Sequence, residues 1–304
     1  MFSLWTIAYQ ISVKDSKKFK KSPYLCLLEL FIMADSVKRV LFVNSEIFPY
    51  LPESRMATIG RYLPQGIQER KKEIRSFMPR WGSINERKNQ LHEVIRLSGM
   101  NIIVSDVDRP IVIKVASISA ARLQVYFIDN EDFFKRKQLA YDDSGKFFED
   151  NAERAIFFAR SVLETVKKLR WAPDIIHCHG WISHLLPAYL KKTYIDDPIF
   201  SSSKVVLSLY NEIAEEKFPQ TFAKDALFGN ITEKDLPFLE NATGIELAKT
   251  AVQYSDGVIL GSDAIAPQLT DYCKELGLPI LSFDESKIES GAYVDDYNSF
   301  YDQL

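Results

Sequence analysis

Cysteine is scarce in this chain. Three occur among its 304 residues, Cys26, Cys178 and Cys273, and they lie far apart. Their odd number and wide spacing imply no disulfide framework, so a reducing cytoplasmic location is expected. A large excess of charge of one sign is missing as well, because 38 Lys and Arg residues stand against 41 Asp and Glu residues. The resulting net charge of −3 argues against nucleic acids or anionic membranes as general partners.

A long hydrophobic run is also missing. The apolar stretch at residues 24–33 carries Glu29 and is far shorter than the roughly 20 residues that a membrane-spanning helix requires. It follows a basic stretch and so mimics a secretory signal, but it has no small-x-small cleavage site. Met33 then leads directly into a strand pattern. We predict that residues 1–35 are an extension that is disordered or a mis-assigned start.

Several common catalytic motifs do not occur. Without Gly-x-Ser-x-Gly there is no nucleophile elbow for a Ser/His/Asp hydrolase. Without Gly-x-Gly-x-x-Gly or a Walker loop, the usual dinucleotide and triphosphate sites are removed. A zinc site needs three or four converging ligands, and only His177, His179 and His184 are available. We therefore predict no metal site and hydrogen-bonded structural histidines, with direct sugar contact as the alternative.

Strand-like and helix-like segments alternate along the rest of the chain. Residues 39–43 form an apolar run typical of a strand buried on both faces, and residues 54–70 show close to helical spacing. Further strands are predicted at 73–78, 123–128, 174–178, 204–209 and 257–261, with helices at 151–170 and 244–254. This alternation predicts an α/β fold, a single Rossmann-like domain with a mostly parallel sheet.

Two further segments complete the predicted organisation. Residues 101–107 and 111–118 are interpreted as a strand pair that turns at 108–110. The last stretch, 284–304, is acidic and rich in Tyr, which favours a loosely packed terminal helix or tail. We therefore predict the extension at 1–35, a catalytic-type domain at 36–270 and an acidic C-terminal helix or tail at 271–304.

The most informative segment is W-A-P-D-I-I-H-C-H-G-W-I-S-H-L-L-P-A-Y-L at residues 171–190. A buried strand ends there in a polar corner of His177, Cys178, His179 and Gly180, and an apolar helix begins near Trp181. Ligands of open parallel sheets bind at the carboxyl ends of the strands. The corner therefore has the form of an active-site wall.

Other motifs occur in a fixed order around this corner: V-L-F-V-N-S-E-I-F-P-Y at 40–50, M-P-R-W-G-S-I-N-E-R at 78–87, D-N-A-E-R-A-I-F-F-A-R at 150–160 and Y-S-D-G-V-I-L-G-S at 254–262. Together with D-I-I-H-C-H-G-W at 174–181, they resemble the bacterial glycogen and plant starch synthases over residues 38–269. The resemblance implies the N-terminal half of a B-type glycosyltransferase with two facing Rossmann-like domains. It also implies glucose transfer from ADP-glucose to the non-reducing end of an α-1,4-glucan, without a metal ion or other cofactor.

The sequence departs from the family pattern at its functional motifs. The Asp of His-x-His-Asp-Trp, important for activity, is Gly180, and the His beside the sugar in Thr-(Ile/Val)-His-Asn is Tyr210. No catalytic position of the family is intact. The Lys-x-Gly-Gly-Leu loop that approaches the nucleotide sugar is matched by Pro52, Glu53, Ser54, Arg55 and Met56. Pro52 and Glu53 supply neither the cation of the family's Lys nor the close backbone approach of its glycines, and the Glu53 carboxylate would repel a diphosphate.

The resemblance also implies a missing donor half. Roughly forty residues follow Ser262, too few for the second Rossmann-like domain that holds most of the ADP-glucose in the family. We therefore expect the isolated chain to be inactive, to bind α-glucan rather than ADP-glucose, and to require a partner glycosyltransferase chain or a homo-oligomer. The alternatives are a non-catalytic glucan-binding or regulatory pseudoenzyme, and a docking scaffold for another glycosyltransferase.

The remaining candidates are side chains that would contact substrate at strand ends. Glu46 is the acidic candidate, with capping of the following helix as its alternative role. Aromatic rings that face the cleft could stack on sugars, whereas core packing is the alternative for Trp181. Arg80 belongs to a polar cluster suited to sugar hydroxyls or to a solvated loop. The full set is Glu46, Tyr50, Arg80, Trp81, His177, His179, Trp181 and Asn211.

Overall fold

The central sheet lies within residues 38–304, the part of the chain that the computed structural model describes. The predicted extension at 1–35 lies outside these residues. The strands are β1 (Arg39–Asn44), β2 (Glu73–Pro79), β3 (His92–Glu93), β4 (Asn101–Val104), β5 (Val107–Pro110), β6 (Val112–Ile118), β7 (Leu123–Asp129), β8 (Ile175–His179), β9 (Lys204–Leu209), β10 (Gly257–Leu260) and β11 (Ile280–Leu281). Nine of them form one sheet in the order β11-β10-β9-β8-β1-β2-β7-β6-β3.

Helices follow most of these strands. They are α1 (Arg55–Glu69), α2 (Glu131–Phe134), α3 (Asn151–Leu169), α4 (Leu186–Lys192), α5 (Phe222–Asp225), α6 (Gly244–Gln253), α7 (Pro267–Glu275), α8 (Glu285–Ser290) and α9 (Tyr293–Gln303), with short 3-10 turns between some of them. Six of the eight strand pairings in the large sheet are parallel. Only β6 pairs antiparallel with β7 and with β3. The predicted α/β fold with a mostly parallel sheet is confirmed.

The segment between 101 and 118 differs from its predicted pairing. β4 pairs with β5 in a separate two-stranded sheet, whereas β6 pairs with β7 in the large sheet. The turn lies at Ser105 and Asp106, which both have positive φ, as a tight two-residue hairpin turn requires. The predicted turn at 108–110 is therefore wrong. Neither residue is glycine, so a turn at this position was hard to predict from the sequence.

Each face of the large sheet is covered by its own set of helices. Leu41 and Val43 of β1 pack into the core that contains α3, α4 and α6. Val40 and Phe42 point to the opposite face, because successive side chains of a strand alternate. Buried side chains of α1 and α9 cover this second face.

The C-terminal helix belongs to this core. Tyr301 is completely buried, and Tyr293, Tyr297 and Phe300 are nearly so. The acidic side chains lie on the other side of the helix and form ion pairs, such as Asp295 with Arg70. Of the expected loosely packed helix or tail, the helix is present, but the loose packing is wrong, because the aromatic side chains form a stripe buried against the sheet. The predicted boundary at residue 270 remains a prediction.

Candidate functional site

The polar corner lies at the carboxyl ends of three adjacent strands. β8 sits between β1 and β9, and Asn44, His179 and Ser208 are neighbours in register. The loops that leave these strands therefore carry Glu46, Gly180 and Tyr210 away from one edge of the sheet. We call this region the carboxyl edge.

The two strand histidines are buried side by side, with ring centroids 3.8 Å apart and ring planes inclined by 42°. His177 is fully engaged: Nδ1 lies 2.6 Å from the Tyr301 hydroxyl and Nε2 lies 2.8 Å from Ser208 Oγ. His179 has a longer contact of 3.3 Å from Nδ1 to the Tyr210 hydroxyl. Burial holds the pKa of His177 well below its usual value and lowers the pKa of His179 to about 3. Both rings are therefore neutral near pH 7.

Gly180 is tightly enclosed. Its φ of +85° with ψ of 157° is a backbone conformation essentially restricted to glycine. A Cβ atom at this position would lie 2.2 Å from Ser45 Oγ and 2.9 Å from Met56 Sδ. An aspartate therefore cannot be accommodated here unless the backbone and both neighbours move.

Tyr210 is packed into the same edge from the other side. Its ring lies against Gly261, where a Cβ atom would approach Tyr210 Cε1 to 2.4 Å. Burial holds the pKa of the Tyr210 hydroxyl well above its usual value, so the hydroxyl stays protonated. The phenol thus fills its position as a neutral, hydrogen-bonding group.

The loop matched to the family's nucleotide-sugar loop is used to start α1. Ser54 is the N-cap: its Oγ accepts a hydrogen bond from the Ala57 amide at 3.0 Å. The same hydroxyl donates to Glu46 Oε2 at 2.6 Å, so Glu46 supports the cap indirectly. Arg55 pairs with Glu285 at 2.6 Å. Of the rest, Met56 is buried, whereas Pro52 and Glu53 are exposed.

Arg80 is neutralised at the end of β2. Its Nε lies 3.0 Å from Asp129 and 3.4 Å from Glu86. Lys114 completes the network at 2.9 Å from Asp129 and 2.7 Å from Glu86. Arg80 therefore lies in a four-charge cluster that ties β2, β6 and β7 together, and it is not a free cation for a ligand.

The aromatic candidates lie largely in the interior. Trp81 is fully buried, and its Nε1 donates to the Ser45 carbonyl at 2.7 Å. Tyr50 packs edge-on against Phe127 with ring centroids 4.9 Å apart. Trp181 is 3% exposed. The structure therefore brings none of these rings to an open face, whereas Asn211 is exposed at the carboxyl edge.

Glu212 was missed in the sequence and belongs to this region. Although part of its side chain reaches the surface, its carboxyl group is enclosed and accepts a hydrogen bond from the Trp181 amide. Burial, with the charge of Glu46 as a second cause, raises the pKa of Glu212 to about 8. The residue directly follows Tyr210 and Asn211, so its position after β9 was the available signal.

The carboxyl edge carries the exposed Asn211 amide, the partly buried Tyr210 phenol and the largely protonated Glu212 carboxyl, whereas both imidazoles are fully buried. The amide, phenol and carboxyl can donate and accept hydrogen bonds to a hydroxylated ligand. Arg55 of the degenerate loop and the predicted candidate Arg80 are both paired with carboxylates. Within residues 38–304, no group of three or more His, Cys, Asp or Glu side chains is arranged to hold a metal ion. No helix in the same range has the length and apolarity to cross a membrane.

The fold and this edge define a Rossmann-like α/β protein with a polar site at the ends of its parallel strands. The family model described as the starch synthase catalytic domain matches residues 39–279. The glycogen synthase of Chlorobium limicola is 40% identical over 174 residues, which are 57% of this chain and 36% of that protein. The glycogen synthase of Chlorobaculum tepidum is 35% identical over 235 residues, 77% of this chain and 47% of that protein.

A solved structure shares the fold. The catalytic domain of starch synthase IV from Arabidopsis thaliana, bound to ADP and acarbose, aligns with a TM-score of 0.63 and 16% identity, covering 82% of this chain and 51% of that one. The chain belongs to the starch and glycogen synthase family, so the resemblance seen in its motifs is confirmed. It spans between 36% and 51% of the length of these three proteins.

Proposed function

We propose that this chain is an α-glucan-binding member of the glycogen synthase family that does not transfer glucose as an isolated polypeptide. The packing at Gly180 carries the proposal. Ser45 and Met56 fill the space in which any side chain at this position would begin. Loss of one preorganised polar group from an active site typically lowers the rate by about 10²–10³.

Two further positions support the same proposal. Tyr210, in place of the family's His, is protonated and wedged between His179 and Gly261. In the loop at 52–56, Ser54 is committed to the α1 cap and Arg55 to Glu285. The altered residues are integrated into the packing of the fold, which makes their reversal by a single substitution ineffective.

The choice of α-glucan as ligand rests on the family and on the chemistry of the carboxyl edge. The similar starch synthase domain is bound to ADP and acarbose. Of these two ligand types, a neutral saccharide suits the Asn211 amide, the protonated Tyr210 phenol and the largely protonated Glu212 carboxyl of this edge. A diphosphate would meet Glu46, Glu53 and paired cations only. In this proposal ADP-glucose is held by a partner glycosyltransferase chain, and the chain acts in the cytoplasm.

The test offers the purified 304-residue chain radiolabelled ADP-glucose and glycogen, and measures incorporation and co-sedimentation with glycogen in parallel. We expect co-sedimentation without incorporation. An active glycogen synthase at equal concentration is the control for the assay. Incorporation by the chain alone would contradict the proposed inactivity. Absence of both incorporation and co-sedimentation would contradict glucan binding and favour the docking scaffold.

A further inference from the structure

A series of buried hydroxyl and imidazole groups connects the terminal helix α9 to the carboxyl edge. The hydroxyl of Tyr301 on α9 lies 2.6 Å from Nδ1 of His177 on β8. The other ring nitrogen of His177, Nε2, lies 2.8 Å from Ser208 Oγ on β9. Ser208 in turn hydrogen-bonds to the phenol of Tyr210, and this phenol lies 3.3 Å from His179 Nδ1. A side chain of the terminal helix is thus connected to Tyr210, one of the groups proposed to bind glucan.

The direction of these hydrogen bonds is set at the first pair, Tyr301 and His177. Tyr301 is completely buried, and within residues 38–304 its hydroxyl has no hydrogen-bond partner other than His177. If the imidazole donated to this hydroxyl, the phenolic proton would be left buried and unpaired, which is costly. The Tyr301 hydroxyl therefore donates to Nδ1, and the neutral ring of His177 carries its own proton on Nε2.

The same reasoning extends to the carboxyl edge. Ser208 is fully buried and accepts from His177, so its own proton is left for its other hydrogen-bond partners, the phenols of Tyr210 and Tyr297. When Ser208 donates to Tyr210, the Tyr210 hydroxyl donates in turn to His179 Nδ1. Nε2 of His179 has no partner among the described residues, so the contact with Tyr210 selects the tautomer of this ring. Both imidazoles are then in the Nε2–H form.

We propose that Tyr301 is a positioning residue for the carboxyl edge, because its hydroxyl orients His177 and Ser208 so that the Tyr210 hydroxyl is held against His179. Tyr301 cannot contact a ligand itself, since it is completely buried between α9 and the sheet. Binding groups that are fixed in advance bind with a smaller ordering cost. The series of hydrogen bonds is independent of any ligand, whereas its effect on affinity rests on the proposed glucan-binding function.

The first experiment observes the tautomers in the ligand-free, full-length chain by NMR. Isotope labelling of histidine nitrogen gives few signals, because the chain has four histidines, and long-range nitrogen–proton correlations separate the two neutral forms. We expect the Nε2–H form at both His177 and His179. In Tyr301→Phe, both forms of His177 should be populated, because no donor then selects between them. Tyr293→Phe removes another hydroxyl from the same helix and should leave His177 in the Nε2–H form.

The second experiment measures the Kd of the full-length chain for glycogen by co-sedimentation. Tyr301→Phe and Tyr210→Phe should each weaken binding about threefold, as the loss of one hydrogen bond implies. The double variant should bind no more weakly than either single variant, because both substitutions interrupt the same series of hydrogen bonds. Two independent effects would instead multiply to a loss of about ninefold. Tyr293→Phe is the matched control and should bind like the unmodified chain.

The two experiments fail in different ways. An Nδ1–H form at either ring of the unmodified chain would overturn the direction of the hydrogen bonds. Unchanged affinity in Tyr301→Phe, or multiplied losses in the double variant, would overturn the positioning role while leaving glucan binding intact. Failure of the unmodified chain to bind glycogen would overturn the proposed function and with it the effect on affinity, whereas the tautomers alone decide whether the series of hydrogen bonds exists.

Discussion

Two regions of the molecule differ in whether their buried polar groups have hydrogen-bond partners. Beneath α9, both ring nitrogens of His177 have partners at 2.6 and 2.8 Å. At the carboxyl edge, the side chains of Asn44 and Ser45 and Nε2 of His179 are buried without a hydrogen-bond partner among the described residues. Buried polar atoms are ordinarily paired, and exceptions concentrate where a role other than stability is served. In the sheet face that α9 covers, which we call the face under α9, the polar groups serve stability. The carboxyl edge, by contrast, keeps polar groups that the fold does not need.

The largest effect is expected from a substitution that removes a buried side chain from the face under α9. Phe300 lies against Gly257 of β10 and is 6% exposed. Phe300→Ala should lower the free energy of unfolding by about 3–5 kcal/mol, because it leaves a cavity in the core between the sheet and α9. Urea denaturation measures the loss. Gln303→Ala on the exposed side of the same helix is the control, with an expected change within about 0.5 kcal/mol. A loss below about 1 kcal/mol for Phe300→Ala would mean that α9 is loosely packed after all.

The next effect concerns the edge itself. Gly180→Asp should destabilise the chain by about 2–4 kcal/mol, since it adds backbone strain at φ +85° to a clash with Ser45 and Met56. Adding Ser45→Gly should recover part of this loss by removing the nearest contact. Neither variant should gain glucose transfer from ADP-glucose to glycogen. A stable Gly180→Asp chain that transfers glucose would show that this one residue had switched the edge off.

Glu212 gives the edge a pH dependence opposite in sign to that of His177 beneath α9. Its folded pKa of about 8 lies above the ordinary value of 4.5, so its contribution to stability is complete below pH 4.5 and is lost as the pH rises through about 8. The buried histidines are neutral in the folded state but titrate near pH 6.5 in the unfolded state, so they raise stability over the same range and oppose the effect of Glu212. The effect of Glu212 is therefore measured as the difference between the unmodified chain and Glu212→Gln in urea titrations, and this difference should move against the unmodified chain by about 1.5–2 kcal/mol between pH 6.5 and 8. The same pH dependence in both chains would locate the titrating group elsewhere.

The sequence allowed the fold and the location of the edge to be predicted, because both depend on local pattern. Apolar runs such as residues 39–43 indicate buried parallel strands, and polar residues after them mark the carboxyl ends. Whether a side chain is buried, paired or exposed depends on residues that are distant in the sequence, so it was not predictable. Arg80 is neutralised by Asp129 of β7, and Trp81 is buried on the Ser45 carbonyl.

In the terminal helix, the helical spacing of the aromatic residues was a valid signal, but the acidic composition was given more weight. Tyr293, Tyr297, Phe300 and Tyr301 follow the spacing of a helical stripe, which predicts an apolar face. The acidic residues between them suggested a loosely packed helix or tail, yet they lie on the solvent side and pair with basic residues such as Arg70 and Lys72. Periodicity was the better guide than composition, because burial depends on which face a residue occupies.

The smallest predicted effect is the loss of one hydroxyl group, either beneath α9 or at the carboxyl edge. Tyr301→Phe removes the partner of His177 Nδ1 at 2.6 Å, while Tyr210→Phe removes a contact to His179 Nδ1 at 3.3 Å. Both substitutions keep the ring and its packing, so each isolates one hydrogen bond. Leaving a buried imidazole nitrogen unpaired should cost about 1–2 kcal/mol for Tyr301→Phe, against about 0.5 kcal/mol or less for Tyr210→Phe. Urea denaturation at pH 7 measures both. Equal losses would mean that the edge is as tightly paired as the face under α9, and the distinction between a stabilising face and a binding edge would not hold.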